Sequence, residues 1–304
     1  MSLLTNPRVR LLLGAALISF SPVFVALVSV SSTNSAFYRV AIGGAVLLLW
    51  VLFDGRGRWP RRGVLAVLVL AAGAFALDLW FWHQSIRYVG PGLSTLLANF
   101  QVFVMTAAGF FLLGQKPTLS QLVSIPLALL GLALIVGFDW QSLSRDYQLG
   151  VIYGLLTAAS YAAYLLTFRH AQSLRQHSGD SQLPTRELTI VSLAAAVFLA
   201  VGAVAEGETL RIPTLADAAW LTAYAVLAHI LGWLLIASSL AHVPATLIGL
   251  SLLLQPLLSF VWDVLFFGRV VSGSQLVGAM LALVAIYFGA RSRRAVTHKR
   301  DAVG

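Results

Sequence analysis

The chain has 304 residues, of which 59% are hydrophobic and 10% are charged, whereas a typical soluble domain has about 25% charged residues. This composition excludes an ordinary soluble domain and predicts an integral membrane protein. The formal net charge of +9 does not indicate a nucleic-acid-binding protein, because the basic residues are spread over loops and no polar domain displays them. Cysteine is absent, which excludes disulfides, thiol catalysis and thiolate metal ligands.

Ten apolar stretches follow one another along the chain. A membrane-spanning helix needs about 20 mainly apolar residues, because each residue rises about 1.5 Å through a hydrocarbon core of about 30 Å. The predicted spans cover residues 9–30, 34–53, 63–82, 92–113, 119–138, 149–168, 187–205, 218–238, 246–267 and 273–290. The first stretch also resembles a signal peptide, since Arg8 and Arg10 precede it. Its apolar run is longer than a usual signal-peptide core, so we interpret it as the first helix.

The distribution of basic residues predicts how the chain threads the membrane. Lys and Arg accumulate in cytoplasmic loops, and here fifteen fall on one side and four on the other. The first set is Arg8, Arg10, Arg56, Arg58, Arg61, Arg62, Lys116, Arg169, Arg175, Arg186, Arg291, Arg293, Arg294, Lys299 and Arg300, and the second is Arg87, Arg145, Arg211 and Arg269. Both termini are therefore predicted to be cytoplasmic, which agrees with an even number of spans.

The sequence repeats itself over a long period. Residues 120–129 read SQLVSIPLAL and residues 274–283 read SQLVGAMLAL, so seven of ten positions agree. These stretches begin the fifth and tenth spans, which predicts two units of five helices, residues 1–140 and 141–304. A unit with an odd number of crossings places its copy upside down in the membrane. The predicted fold is therefore an all-α membrane protein of ten helices, arranged as two inverted five-helix repeats.

Polar side chains inside the spans are the candidate site residues, because such groups are costly in hydrocarbon and face the protein interior by default. Asp78 and Trp82 share one helical face, and His229 and Trp233 repeat that spacing in the eighth span. The candidate substrate-binding residues are Asp78, Trp82, His83, Asn99, Gln101, Tyr161, Tyr164, His229, Trp233 and Gln255.

Structural roles compete with these assignments. His83 is also consistent with the outer boundary of its span, and Gln101 and Gln255 with hydrogen bonds that hold helices together. Asp263 is expected to pair with Arg269. We expect Arg39 to reach the outer interface or a neighbouring carbonyl. Four tryptophans near span ends are expected to be interface anchors, namely Trp59, Trp80, Trp140 and Trp220.

Several motifs resemble the drug/metabolite transporter superfamily, whose members have two EamA-type halves of five helices. These are AFYRVAIGGAVLLL in the second span, and the Gly or Pro turns of YVGPGLSTLLANFQ and AHVPATLIGLSLLLQP before the fourth and ninth spans. The stretch DLWFWHQSIRYVGPGLSTLLANFQVFV is similar to bacterial aromatic amino acid exporters. Many relatives have Gly-Glu after the fourth and ninth spans, whereas Gln115 and Arg269 follow the glycines here.

The resemblance implies a secondary transporter that exports amino acids, aromatic ones preferred, across the bacterial inner membrane by alternating access. The expected partners are amino acid substrates and the lipid bilayer, with no cofactor, no metal and no second copy. Export of other metabolites or cationic drugs is an alternative, as is a membrane enzyme or lipid flippase. H-E-x-x-H and phosphate-binding loop motifs are absent. Asp78 is a candidate proton carrier, and a neutral structural role remains open for it.

Overall fold

The computed structural model describes residues 6–54, 59–113, 118–136, 141, 143–176, 185–240, 252 and 254–290. Throughout this part of the chain the regular structure is helical. The helices are α1 (Pro7–Ser19), α2 (Ser21–Leu27), α3 (Ser32–Asp54), α4 (Arg62–Val89), α5 (Pro91–Ala98), α6 (Gln101–Leu113), α7 (Leu119–Val136), α8 (Arg145–Gln176), α9 (Thr185–Ala205), α10 (Leu215–Ala223), a π-helical segment (Tyr224–Gly232), α11 (Trp233–Leu240), α12 (Leu254–Phe267) and α13 (Gly273–Ala290).

These elements form ten helical segments, one for each predicted span. Six are long and apolar enough to cross a membrane: Pro7–Leu27, Ser32–Asp54, Arg62–Val89, Arg145–Leu174, Thr185–Ala205 and Leu215–Ile236. Four apolar segments are shorter: Pro91–Met105, Leu122–Ile135, Leu254–Phe267 and Gly273–Phe288. Large apolar side chains such as Phe53, Leu70 and Val201 are exposed on their outer faces. The chain is therefore an all-helical, multi-pass membrane protein.

Some predicted boundaries differ from the structure. The third span was predicted to end at residue 82, but α4 continues to Val89 and ends at Gly90. Gly90 has a φ of 85°, in the left-handed region that favours glycine, and Pro91 begins α5 directly after it. The sequence predicted this tight turn. The corresponding turn before the ninth span, Trp140 and the C-terminal basic cluster lie outside the described residues.

Two predicted spans contain a break in the helix. The first is divided at Phe20 into α1 and α2, where Pro22 cannot donate a backbone hydrogen bond. The fourth is divided at Asn99 and Phe100 into α5 and α6. The eighth span instead changes to π-helical geometry between α10 and α11. Rare π-helical turns often occur at functional sites. Residues at the first two breaks line one interior cavity, and Trp233, which follows the π-helical segment, lines the same cavity.

Close helix contacts hold the bundle together where small residues meet. α4 packs along α8 and α9, while α7 packs along α13. A Cβ atom added at Gly131 of α7 would lie 2.8 Å from the carbonyl oxygen of Gly278 in α13. The two backbones are therefore in direct contact, an approach that glycine permits between membrane helices.

Candidate functional site

A cavity of about 100 Å³, lined by both apolar and polar groups, lies between helices from the N-terminal and C-terminal halves of the sequence. This volume accommodates several water molecules. Its lining residues are Ile18, Ser21, Pro22, Arg39, Phe75, Asp78, Leu79, Trp82, Thr95, Ala98, Asn99, Gln101, Thr157, Tyr161, Trp233, Leu252 and Gln255. The set combines aromatic rings with hydroxyl, amide and charged groups, as small-molecule sites do.

The helix breaks bring backbone and amide groups to the cavity wall. Pro22 lines it at the start of α2, and Asn99 lines it at the end of α5. The Asn99 Nδ2 atom donates a hydrogen bond to the Thr95 carbonyl at 2.8 Å, which caps the last turn of α5. Gln101 follows at the start of α6, and its Oε1 atom is buried without a hydrogen-bond partner. The break therefore leaves a free acceptor beside the cavity.

Seven of the ten predicted site residues line this cavity: Asp78, Trp82, Asn99, Gln101, Tyr161, Trp233 and Gln255. Asp78 is 7% exposed and lies one turn before Trp82 on α4. Within the described ranges, no side chain or amide hydrogen-bonds to the Asp78 carboxyl group, and no basic group forms an ion pair with it. An isolated buried carboxyl group is costly, so this arrangement is unusual for a purely structural residue.

Tyr164 and His229 lie beside a second, much smaller cavity of about 10 Å³. Phe75 and Trp233 line both cavities. The His229 Nε2 atom is 2.9 Å from the Ser192 hydroxyl, while its Nδ1 atom is buried without a partner. Tyr164 and His229 therefore line the smaller cavity and not the larger one.

His83 does not line the cavity. It is fully buried, and α4 continues beyond it to Val89. Its Nδ1 atom donates to the Leu79 carbonyl at 2.6 Å, and its Nε2 atom accepts from the Tyr224 hydroxyl at 3.3 Å. His83 therefore holds the Tyr224 hydroxyl through a hydrogen bond and does not itself line the cavity.

Arg39 is the main residue that the sequence interpretation misplaced. The outer interface was expected, yet Arg39 lines the cavity and is only 5% exposed. Its Nη1 atom donates to the Tyr224 hydroxyl at 2.8 Å. Its guanidinium carbon lies 4.9 Å from the Tyr224 ring centre and 5.9 Å from that of Trp82, within range of cation–π attraction. The rule that an ionisable residue inside a span faces the protein interior correctly predicts this position of Arg39.

One other expected contact is observed. Asp263 forms an ion pair with Arg269 at 2.9 Å, as predicted. Trp59 and Trp220 are 51% and 41% exposed, and their role as interface anchors stays a prediction. Trp80 instead donates its Nε1 hydrogen to Glu206 at 2.7 Å and to Thr33 at 3.0 Å.

A multi-pass helical protein with a cavity between its two halves that contains buried polar and charged groups has the architecture of a membrane transporter. Residues 9–137 and residues 148–290 each match the model of the EamA-like transporter family. The chain belongs to this family, and hence to the drug/metabolite transporter superfamily.

Curated relatives and a solved structure agree with this membership. The chain is 25% identical over 251 residues to the threonine/homoserine exporter RhtA of Salmonella typhimurium (strain SL1344), covering 83% of this chain and 79% of RhtA. It is 23% identical over 257 residues to a probable amino-acid metabolite efflux pump of Salmonella typhimurium (strain LT2), covering 80% of this chain and 82% of the pump. A crystal structure with 17% sequence identity shares the fold, with a TM-score of 0.63, covering 93% of this chain and 96% of the other.

Proposed function

We propose that the protein is a secondary transporter that exports amino acids, with a preference for aromatic ones, across a bacterial inner membrane. The observation that carries the proposal is the composition of the central cavity. Trp82, Tyr161, Phe75 and Trp233 supply aromatic surface, and Asn99 adds an amide beside them. Aromatic rings bind one another in stacked or edge-to-face geometry, while amides hydrogen-bond to the polar end of an amino acid.

The packing of the helices supports a mechanism of alternating access by two inverted repeats of residues 1–140 and 141–304. The third span, α4, packs on the sixth, α8, and the eighth span packs correspondingly on the first. The second span packs on the seventh, the fourth on the ninth and the fifth on the tenth. If each span is exchanged for its counterpart in the other half, the first for the sixth and so on, the same set of contacts results. Rocking of two such halves about a site between them is a known transport mechanism.

The orientation follows from the charge distribution, with both termini in the cytoplasm. Substrate would then enter the cavity from the side that carries the fifteen basic loop residues.

Reconstitution of the purified protein in proteoliposomes tests the proposal. We expect uptake of labelled phenylalanine or tryptophan above that of protein-free liposomes, and slower uptake of threonine and homoserine, the substrates named for the RhtA relative. Uptake of threonine with no aromatic uptake would contradict the aromatic preference alone. No uptake or exchange of any amino acid would contradict the proposed function.

A further inference from the structure

The central cavity contains one cationic and one anionic side chain that do not pair with each other. Arg39 and Asp78 both line it, from α3 and α4. Both are more than nine-tenths buried. Across the described residues, neither group forms a salt bridge. A buried charge without a counter-charge in direct contact is costly, so two such charges beside one cavity suggest that a ligand supplies the missing contacts.

The guanidinium of Arg39 is held in place while part of its donor capacity remains unused. Nη1 donates to the Tyr224 hydroxyl, Tyr224 in turn donates to His83, and His83 donates to the Leu79 carbonyl. This chain of hydrogen bonds fixes the orientation of Arg39 through one nitrogen. The Nε atom is buried and has no hydrogen-bond partner. A guanidinium offers donors in a planar fork that matches the two oxygens of a carboxylate.

We propose that Arg39 binds the α-carboxylate of the substrate and that Asp78 binds its α-ammonium group. The inference rests on the proposed function and adds the chemical features that the site recognises. A zwitterionic amino acid satisfies both buried charges at once, whereas an amine or a carboxylic acid leaves one of them unpaired. Sites of this kind strongly reject analogues that lack the expected polar group.

The location of the aromatic residues fits this orientation of the substrate. Trp82 follows Asp78 by one turn of α4, and its ring centre lies 5.9 Å from the Arg39 guanidinium carbon. Tyr161 and Phe75 complete the wall from α8 and α4. The charged groups thus select the backbone end of an amino acid, and the rings remain for its side chain.

Competition in proteoliposomes tests the pair of contacts. Phenethylamine lacks the carboxylate of phenylalanine, and phenylpropanoate lacks its ammonium group. For the unmodified protein we expect each analogue to inhibit phenylalanine uptake at least about 10-fold more weakly than phenylalanine does, because each analogue lacks the group that would form one of the two charge-assisted hydrogen bonds. Equal inhibition by phenylalanine and either analogue would overturn the proposal for the corresponding residue without any variant.

Two variants should separate the contacts. We expect Arg39→Gln to weaken phenylalanine binding about 10-fold or more and to reduce the preference over phenethylamine to within about 3-fold, while the preference over phenylpropanoate persists. We expect Asp78→Asn to weaken phenylalanine binding as well, but to reduce the preference over phenylpropanoate while the preference over phenethylamine persists. Arg39→Lys should give an intermediate result, since the ammonium keeps the charge but loses the fork.

Arg87→Gln is the matched control, because Arg87 is an exposed arginine at the end of α4. The thermal unfolding temperature in detergent identifies variants whose fold is destabilised as a whole. Amino acid uptake with an unchanged analogue preference in Arg39→Gln would overturn the Arg39 assignment and leave the proposed function intact. Absence of all amino acid uptake in the unmodified protein would instead contradict the proposed function.

Discussion

Trp82 illustrates how a single residue of the site was predictable. A tryptophan inside a span, one helical turn from an aspartate, was selected by spacing alone, and the structure places both at the cavity. Arg39 also lies inside a span, but the length of its side chain favours the interface when only the sequence is considered. Nothing in the sequence shows that Tyr224 holds it from a distant span, because that contact joins residues 185 positions apart.

Replacing Trp82 should change substrate preference more than overall activity. Trp82→Leu removes one ring from the cavity, and an aromatic pair contributes about 0.5–1.5 kcal/mol beyond its buried area. We expect the apparent affinity for phenylalanine to fall about 3- to 10-fold relative to that for threonine. The control is Trp50→Leu, which removes a tryptophan that is 59% exposed on α3. Equal losses for both substrates would argue against an aromatic contact at Trp82.

Asp78→Asn tests whether this carboxyl group carries a proton during transport. The amide keeps a similar shape and cannot gain or lose a proton. We therefore expect a pH gradient to stimulate transport by the unmodified protein. In the variant, whose exchange is weakened by the loss of the ammonium contact and is measured at raised amino acid concentration, the gradient should have no effect. The measurement is uptake of radiolabelled phenylalanine by each protein, with and without the imposed pH gradient. A variant that responds to the gradient like the unmodified protein would exclude Asp78 from coupling.

At the level of elements, the apolar stretches predicted all ten helical segments, but they could not locate the irregularities inside them. Pro22 lies at the break between α1 and α2, whereas no proline lies at the break between α5 and α6, and Pro126 lies inside the continuous helix α7. The π-helical segment has an ordinary apolar sequence, YAVLAHILG. Such geometry depends on tertiary packing, because each segment must satisfy its backbone hydrogen bonds with whatever neighbours surround it.

The contact between α7 and α13 should depend on the absence of a side chain. Gly131→Ala would place a methyl group 2.8 Å from the Gly278 oxygen and also 2.8 Å from the Ala282 nitrogen. We expect a destabilisation of about 1–3 kcal/mol, since the helices must move apart. At Gly73 a methyl group meets only the Phe198 ring at 3.7 Å, so Gly73→Ala should be neutral or stabilising. Thermal unfolding in detergent compares the two, and equal shifts would contradict the packing argument.

At the scale of the whole molecule, polar contacts tie the helices together at the ends predicted to be external. Asp217, at the start of α10, accepts hydrogen bonds from the backbone and the hydroxyl of Ser29, at 2.7 and 2.8 Å. Glu206, after α9, accepts from Thr33 at 2.7 Å. Arg269 donates to the Val89 carbonyl at 3.0 Å. The sequence identified the charges but not their partners, because each contact joins separate spans.

Weakening these contacts should open the cavity toward the external side. The chain has no cysteine, so Thr157→Cys introduces a single reporter at the cavity wall. We expect Asp217→Ala combined with Glu206→Gln to increase its labelling several-fold when a membrane-impermeant thiol reagent is added from outside. Glu208→Gln, in the loop after Glu206, serves as the control. Unchanged labelling from outside, or faster labelling only from the cytoplasmic side, would contradict a role in external closure.

The opposite formal charges of Arg39 and Asp78 also have an electrical consequence. A membrane potential of 100 mV is worth about 2.3 kcal/mol for each elementary charge that crosses the bilayer. With both groups ionised, the cavity is neutral whether it is empty or holds a zwitterion, so neither form of the carrier responds to voltage through these groups. Protonation of Asp78 during the return step would leave the charge of Arg39 uncompensated. Voltage would then act on the empty carrier alone and set how quickly it becomes available for the next substrate.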